Sequence, residues 1–208
     1  MFYEIVKRIL DVIISVCALV SLFPVYTLIA LLIRLEDRGR CIYTQERIGR
    51  DGSRFKFYKF RSMVENADEL LFSNPVLYKQ MRSGTHKLTD DPRVTNVGRF
   101  IRKYSLDEIP QFLNVLIGDM SFVGPRAFRP DELEKYHQDH PENGKSLKFI
   151  LSVKPGITGL WQVTGRSTVS FDERIRIESN YAKNRCLLLD LWIIARTPFA
   201  VLAAKGAS

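Results

Sequence analysis

The clearest feature of the hydrophobic pattern is an uncharged run, VIISVCALVSLFPVYTLIALLI, that covers residues 12–33. An apolar run of about 20 residues is long enough to cross a bilayer. It is too long for the apolar part of a cleaved signal peptide, and no A-x-A-like site follows it. Such length without a charge also disfavours a buried helix of a soluble protein. The pattern therefore predicts a membrane-embedded segment at the start of the chain.

Two details of this run complicate a simple span. Basic residues stand on both sides of it, namely Lys7, Arg8, Arg34, Arg38 and Arg40. Under the positive-inside rule, both flanks then lie on the cytoplasmic side. Pro24 cannot donate the N–H that would bond the carbonyl of Val20, so it favours a kink, and Ser21 is placed to satisfy part of the freed backbone. The residues leave two topologies open: a true span, and a re-entrant hairpin that returns to the same leaflet.

Beyond residue 40 the pattern changes to short segments rich in aromatic and β-branched residues. CIYTQERIG and SRFKFYKFRSM flank the turn signal Asp51-Gly52, and together they predict a β-hairpin. Lys56, Lys59 and Arg61 place positive charge along the second strand. That charge has two interpretations: an edge strand protected against aggregation, or a strand that faces phosphate.

The segment RKYSLDEIPQFLNVLIGD, residues 102–119, predicts a helix with two carboxylates at its start. One apolar face is formed by Ile109, Phe112, Leu113, Leu116 and Ile117. Gly118 is the expected stop, Ser105 and Glu108 have capping-box spacing, and Asp107 is a possible N-cap. A helix start also keeps an acid ionised and lowers its pKa. Capping alone would therefore explain the acidic pair, and a catalytic role is the alternative.

Arginines recur around this pair. On a helix that begins near residue 97, Arg99 and Arg102 share one face. The sequence GPR predicts a rigid turn that presents Arg126, and VKPGITGLWQVTGRS predicts a loop with exposed backbone that ends in Arg166. Arginine suits bidentate phosphate binding, and glycine turns let backbone N–H groups approach an anion. A phosphate site is therefore predicted near the acidic pair.

Two more helical segments are predicted to be broken by proline. ENADELLFSNPVLYKQMRSG is interrupted near Pro75, and RCLLLDLWIIARTPFAVLAAKG near Pro198. The second segment combines Leu, Trp and Phe with Arg196 and Lys205, which suits a helix lying at a membrane surface. An ordinary C-terminal core helix is the alternative.

Composition narrows the function classes. The 208 residues, 46% of them hydrophobic, suit one domain with a modest core. The net charge of +8 suits nucleic acid, an anionic membrane or a phosphorylated small molecule, but no nucleic-acid-binding signature occurs. The wide spacing of Cys17, Cys41 and Cys186 indicates a reducing compartment. His137 and His140 lie in a polar run, where a solvated loop is favoured over a metal site.

Several of these motifs, in one order, resemble the bacterial sugar transferase family, the monotopic phosphoglycosyl transferases. They are KRILDVIIS, the proline-broken segment, YTQERIGRDGSRFKFYKFRSM, SLDEIPQFLNVLIGDMSFVGPR, KPGITGLWQVTGR and LDLWII. The resemblance implies a mostly helical α+β fold. Residues 1–40 would form a re-entrant membrane helix, and residues 41–208 a catalytic domain with a β-hairpin and amphipathic helices at the membrane surface. The resemblance also implies that the protein is located at the cytoplasmic face of the bacterial inner membrane.

The resemblance further implies transfer of a sugar-1-phosphate from a UDP-sugar to undecaprenyl phosphate, with Mg²⁺ and release of UMP. This is the first membrane step of exopolysaccharide, O-antigen or other glycoconjugate synthesis. The family's catalytic pair carries over to Asp107 and Glu108. Asp107 is the expected nucleophile, through an aspartyl-phosphosugar intermediate, and the expected Mg²⁺ ligand. The expected phosphate-binding residues, with the two strand cations included, are Lys59, Arg61, Arg102, Arg126 and Arg166.

Some points stay open at this level. The family often shows GPRP where this chain has GPRA, so Ala127 leaves the rigidity of the turn undecided. GLWQVTGRS resembles the hexose-1-phosphate transferases, which favours UDP-glucose or UDP-galactose. The sugar, the pathway, the metal ligands and the oligomeric state, a homodimer included, are not fixed by the residues. The alternative to an enzyme is a non-catalytic basic membrane adaptor that binds anionic lipid or a partner protein.

Overall fold

The computed structural model describes residues 2–75, 78–79, 91–165 and 169–203. The helices are α1 (Phe2–Ser21), α2 (Phe23–Asp37), α3 (Ala67–Ser73), α4 (Asn96–Lys103), α5 (Gln111–Ile117), α6 (Pro130–Asp139), α7 (Gly144–Leu151), α8 (Leu160–Thr164), α9 (Phe171–Asn184) and α10 (Leu187–Leu202). The strands are β1 (Ile42–Ile48), β2 (Arg54–Phe60), β3 (Ser121–Val123) and β4 (Gly156–Thr158). Short 3₁₀ turns cover Arg50–Gly52, Leu106–Glu108 and Pro141–Asn143. The predicted fold class, mostly helical with a small hairpin, is confirmed.

The apolar start forms a bent helix pair. α1 and α2 meet at a bend of 60° next to Leu22. Pro24 lies in the first turn of α2, where a missing N–H breaks no helical hydrogen bond. The predicted break is confirmed, although Ser21 donates its hydroxyl to the carbonyl of Ala18 (3.3 Å) rather than to Val20. Within the described ranges no single helix is long and apolar enough to cross a membrane, whereas the bent pair together is, by length and composition.

α1 separates apolar from polar side chains. One side is an exposed stripe of Phe2, Ile5, Ile9, Ile13, Val16 and Val20. The other side contacts the rest of the protein through polar groups: Lys7 Nζ donates to Asp190 Oδ2 at 2.8 Å, and the N–H of Phe122 donates to Asp11 Oδ1 at 2.9 Å. Exposed apolar residues on one side and polar contacts on the other indicate that α1 lies along the surface of the domain.

The second half of α2 belongs to the hydrophobic core. Ile29 and Ile33 are buried against Phe60, Ile101 and Ile109. The helix pair therefore contacts the domain through both of its outer halves. The division of the chain into two domains at residue 40 stays a prediction.

The predicted hairpin is confirmed. β1 and β2 pair antiparallel from Ile42 opposite Phe60 to Ile48 opposite Arg54. Side chains alternate along β2, so Lys59 lies on the same face as the buried Phe55 and Phe57. Its ammonium group lies 5.4 Å from the centre of the Phe57 ring. Lys59 is therefore directed inward, and the edge-protection interpretation does not describe it.

α5 has a face that differs from the predicted one. Gln111 and Asn114 are buried, whereas Leu113 and Ile117 are 40% and 64% exposed. The apolar-face prediction is therefore wrong for Leu113 and Ile117. The predicted stop is confirmed, because Gly118 ends the helix with φ 105°, a left-handed conformation that favours glycine.

Polar contacts explain why α5 buries its polar residues. Asn114 Nδ2 donates to the carbonyl of Lys56 at 2.6 Å, and the N–H of Tyr58 donates to Asn114 Oδ1 at 3.1 Å. At the other end of the helix, Arg8 Nη1 donates to the carbonyl of Val115 at 2.6 Å. These bonds join α5 to the hairpin and to α1, and they fix the turn that precedes α5 next to β2.

The segment VKPGITGLWQV is not the exposed loop that its composition predicts. Gly156–Thr158 forms β4, which pairs parallel with β3, and α8 follows at once. A Cβ on Gly156 would overlap the backbone nitrogen of Gly124, so the two glycines let these backbones pack directly together. The prediction is wrong because a parallel pairing of distant strands leaves no local pattern.

The two proline-broken helices differ in outcome. α3 ends at Ser73, two residues before Pro75, as predicted, and most of the segment after it lies outside the described residues. α10 continues through Pro198, so the break predicted there is wrong. His137 lies in α6 rather than in a loop, and His140 follows that helix. Among the described residues no group of three His, Cys, Asp or Glu side chains could hold a metal.

Candidate active site

The acidic pair lies in a tight turn ahead of α5. Asp107 and Glu108 belong to the 3₁₀ turn, which follows Ser105 with φ 56°, an uncommon left-handed conformation for a residue other than glycine. Ser105 accepts no capping bond on its side chain, and α5 starts after Pro110 without a side-chain cap. The capping interpretation is therefore wrong. The unusual backbone belongs to the residue two positions before Asp107, at the entry to the turn that holds both carboxylates.

Two cations from other parts of the chain meet at Glu108. Lys59 Nζ and Arg126 Nη2 each donate to Glu108 Oε1 at 2.8 Å. Lys59 Nζ also lies 3.5 Å from Asp107 Oδ2. Among the described residues, Lys59 is the one cation within 4.0 Å of the Asp107 carboxylate. Glu108 is thus held by two charged donors, while Asp107 is left with a single, longer contact.

The two acids differ in electrostatics as they do in contacts. Burial favours the neutral form of Glu108, but Arg126 and Lys59 outweigh it and hold the pKa of Glu108 well below its usual range. Burial raises the pKa of Asp107, and the adjacent Glu108 charge adds to that rise against Lys59, Arg102 and Arg126. The expectation that a helix start would lower the pKa of Asp107 is therefore wrong. Asp107 is a poorly solvated carboxylate beside one that stays ionised.

Two side chains of α9 hold the backbone of Arg126 through hydrogen bonds. The N–H of Arg126 donates to Glu178 Oε1 at 3.1 Å, and Arg174 Nη2 donates to the carbonyl of Arg126 at 3.3 Å. The guanidinium of Arg174 lies 4.5 Å from the ring centre of Phe128 and 4.8 Å from that of Trp161. This buried support fixes the GPR turn. Sequence reasoning missed it, although Arg174 and Glu178 have the i, i+4 spacing of a helical ion pair.

Arg47 of β1 is a further cation that sequence reasoning missed. Its Nη1 donates to the carbonyl of Ala127 at 3.2 Å. Burial lowers the pKa of Arg47 to about 10, and the charge of Arg126 adds to the effect. Arg47 and Arg126 therefore lie close together without one acid for each. Only the position of the hairpin next to the GPR turn reveals this, and that contact is not local in sequence.

The remaining predicted residues have different surroundings. Arg61 pairs with Asp37 at the end of α2, apart from the acidic pair. Arg102 lies in the last turn of α4, close enough for its charge to lower the pKa of Asp107. Arg166 lies outside the described residues. Ala127 is buried in a cluster with Phe55, so the turn that it follows is held by packing.

This arrangement contains the types of group that a displacement at phosphorus uses. A buried carboxylate with free coordination capacity is a candidate nucleophile, and the cations beside it suit the charge of a phosphate. The bacterial sugar transferase family matches residues 2–204, nearly the whole chain. The chain belongs to this family.

Three relatives are similar to the chain over nearly all of its length. The chain is 45% identical over 204 residues to the "Exopolysaccharide production protein ExoY" of Sinorhizobium fredii, covering 96% of this chain and 87% of the relative. It is 44% identical over 204 residues to the "Undecaprenyl-phosphate galactose phosphotransferase" of Salmonella typhimurium, covering 97% of this chain and 41% of the relative. It is 35% identical over 210 residues to the "UDP-glucose:undecaprenyl-phosphate glucose-1-phosphate transferase" of Escherichia coli, covering 98% and 42%. This sugar transferase therefore spans most of the length of ExoY and about two fifths of the length of the other two relatives.

Proposed function

We propose that the chain transfers a hexose-1-phosphate from a UDP-hexose to undecaprenyl phosphate and releases UMP, as the first membrane step of exopolysaccharide or related glycoconjugate synthesis. The observation that carries the proposal is the asymmetric acidic pair, in which Glu108 is held by Lys59 and Arg126 while Asp107 is not. The names of two relatives support the substrates, since each names undecaprenyl phosphate and a hexose. The galactose relative, at 44% identity, makes UDP-galactose the first donor to test.

Asp107 is the nucleophile in this proposal. A carboxylate oxygen of Asp107 forms a bond to the β-phosphorus of the donor, and the bond from that phosphorus to the bridging oxygen breaks, so UMP leaves with the electron pair. An oxygen of undecaprenyl phosphate then forms a bond to the same phosphorus and releases Asp107. Burial of Asp107 supports this role, because a poorly solvated carboxylate loses little hydration when it attacks.

Glu108 has a positioning role. Its Oε1 already accepts bonds from Lys59 and Arg126, so that oxygen is engaged and the carboxylate is held in place. Lys59 and Arg126 keep further N–H donors, and these can bind the phosphates of the donor. Arg47 lies near enough to Arg126 to extend the positive surface. The acid thus arranges the cations, and the cations bind the substrate.

Mg²⁺ is the proposed cofactor, and the donor set fits it with substrate present. Asp107 offers one carboxylate, and Mg²⁺ in proteins binds through one or two carboxylates together with substrate phosphates. Asp107 would hold the ion, which when bound would offset the repulsion between this carboxylate and the diphosphate. The engaged Oε1 of Glu108 makes Glu108 the weaker candidate ligand.

The proposed location is the cytoplasmic face of the inner membrane, with α1 and α2 as a re-entrant pair. Both outer halves of the pair contact the same domain, through Lys7 with Asp190 and through Ile33 in the core, which supports a chain that returns to the side it entered. The exposed apolar stripe of α1 and the exposed Leu113 and Ile117 support contact with lipid.

Topology can be tested with single reporter cysteines at Glu4 and Arg40, after replacement of Cys17, Cys41 and Cys186. A re-entrant pair predicts that an impermeant thiol reagent labels both positions only from the cytoplasmic side. Labelling of one of them from the periplasmic side would show a true span and refute the hairpin.

Activity is tested by UMP release from purified full-length chain with undecaprenyl phosphate and Mg²⁺. UDP-galactose and UDP-glucose should release UMP above the background of Asp107→Asn, and UDP-N-acetylgalactosamine should be poorer. Removal of Mg²⁺ by chelation should abolish release, and re-addition should restore it. No UMP from any donor, with folded protein, would contradict the proposed function and favour the membrane adaptor.

A further inference from the structure

A basic cavity lies apart from the acidic pair. It has a volume of about 250 Å³ and lies between the first half of α1 and the segment 152–154. Neither Asp107 nor Glu108 lines it. Its basic lining residues are Lys7, Arg8, Arg50, Lys154 and Arg185, and its acidic ones are Glu4 and Asp11. Five cations and two acids line the cavity, called here the α1 cavity, and Asp51, Asp119 and Asp190 act on its cations from outside the lining.

The acids near the α1 cavity are already engaged. Asp190, outside the lining, accepts from Lys7 at 2.8 Å, and Glu4 accepts from Arg185 at 3.4 Å. Asp11 accepts from the backbone of β3. Arg50 pairs with the exposed Asp51 at 3.4 Å, so Arg8 and Lys154 are the lining cations without an ion pair among the described residues.

Arg8 and Lys154 are the least neutralised cations of the α1 cavity. Arg8 donates Nη1 and Nη2 to the carbonyls of Val115 and Leu116, at 2.6 and 2.9 Å, and these partners carry no charge. Among the described residues no carboxylate lies within 4.0 Å of Lys154 or Arg8. A Cβ on Gly118 would lie 3.7 Å from Lys154 Nζ and 3.8 Å from Arg8 Nη2, so both cations flank the same glycine. Burial lowers the pKa of Lys154, Arg8 and Arg50 act in the same direction, and the charges of Asp11 and Asp119 oppose them.

We propose that the α1 cavity binds the phosphate of an anionic phospholipid headgroup. Clustered, poorly neutralised cations suit a phosphate, and basic pockets between helices at the cytoplasmic membrane surface take lipid headgroups. A lipid is favoured over a soluble phosphate because the same turns of α1 expose Phe2, Ile5 and Ile9 on their outer side, where acyl chains would lie. This site is separate from the substrate site and does not depend on the proposed reaction.

The test is thermal unfolding of the detergent-solubilised full chain with three probes at equal ionic strength: dihexanoyl-phosphatidylglycerol, dihexanoyl-phosphatidylcholine and inorganic phosphate. Binding to the native state raises Tm with ligand concentration. Phosphatidylglycerol should raise Tm and phosphatidylcholine should not. Lys154→Met should weaken the apparent affinity by about five- to tenfold, the effect of one basic residue near a lipid surface, and Lys154→Arg should restore it.

Three variants control the position of the site. Lys145→Met removes the same charge from α7, and Lys59→Met removes it from the acidic pair; both should keep the wild-type response to phosphatidylglycerol. Arg50→Gln, at an exposed residue of the cavity rim, should weaken binding even if Lys154→Met fails to fold. An equal response in wild type, Lys154→Met and Arg50→Gln would overturn the site. An equal response to inorganic phosphate and phosphatidylglycerol, lost in Lys154→Met, would overturn the lipid source and keep a phosphate site.

Discussion

Acidic and basic side chains are paired differently in two regions of the molecule. One is the acidic pair, and the other is the junction between α2 and α4, formed by Asp37, Arg61, Asp91 and Arg93. At the junction, Arg93 donates Nε and Nη2 to the two oxygens of Asp91 at 2.8 and 2.7 Å, and Arg61 pairs with Asp37. Each of these acids has an arginine of its own. At the acidic pair, Lys59 and Arg126 share one oxygen of Glu108, and Asp107 keeps one contact at 3.5 Å.

The difference separates charges that hold the fold from charges that remain available. Arg93 engages both oxygens of the buried Asp91, and breaking a buried pair leaves an uncompensated charge, so its mutation affects stability. The pair of Arg61 and Asp37 is made through Asp37 Oδ1, while Arg61 Nε and Nη1 have no hydrogen-bond partner among the described residues. Two cations on one oxygen retain donors, and a carboxylate with one long contact retains acceptor capacity. The comparison therefore predicts that the same substitution will affect stability at the junction and catalysis at the pair.

The largest effect is expected from the aspartates. Asp107→Asn should lower UMP release by at least about 10³-fold, the scale seen when a covalent nucleophile is removed, with little change in Tm. Asp37→Asn, the same change at the junction, should lower the free energy of unfolding by about 1–3 kcal/mol and leave turnover within about twofold. Turnover assays and thermal unfolding of both variants check this prediction. Equal losses of activity in the two variants would contradict the claim that the junction acts in stability and the acidic pair in catalysis.

The next effect is expected from the arginines. Arg126→Lys keeps the charge but loses the planar fork, so kcat/KM should fall by about 10²-fold with an unchanged Tm. Arg61→Lys should lower Tm by several degrees and leave kcat/KM nearly unchanged. If instead Arg61→Lys is stable and inactive, Arg61 binds phosphate as the strand pattern first suggested, and the ion pair with Asp37 is secondary.

The smallest effect is a change in pH dependence at Lys59. The nucleophile must be ionised, so kcat/KM should fall as pH falls through the pKa of Asp107, which burial raises above its ordinary value of 3.8. The charge of Lys59 opposes that rise. Lys59→Met should therefore move the acid limb of the kcat/KM profile to higher pH, whereas Lys56→Met, on the exposed face of the same strand, should not. A limb that stays in place would show that Lys59 does not set this ionisation.

Local patterns were sufficient where the contacts are local. The hairpin around Asp51, the stop at Gly118 and the break beside Pro24 follow from turn and helix chemistry within a few residues. The exposed Leu113 and Ile117 could not be predicted, because the periodicity rule assumes that apolar residues face the core. What reverses the face of α5 is the bonding of Asn114 to β2, some 56 positions earlier in the chain.

The candidate site shows the same limit. Asp107, Glu108 and Arg126 were predicted, through family motifs, and the structure brings Lys59 to them. Arg61 follows Lys59 by two positions, yet it pairs with Asp37 because it lies just past the end of β2, beside α2. The strand pattern alone does not distinguish the two cations. Arg47 was missed for a related reason, since its burial depends on the fold around Ala127.

The central claim is that Asp107 carries the sugar phosphate. The most direct measurement is covalent labelling by UDP-galactose labelled in the β-phosphate, with Mg²⁺ and without undecaprenyl phosphate. The account predicts label on wild-type protein that peptide mapping assigns to Asp107, that undecaprenyl phosphate removes, and that is missing from Asp107→Asn. Stoichiometric label on Asp107→Asn, or wild-type turnover that never passes through labelled protein, would contradict it.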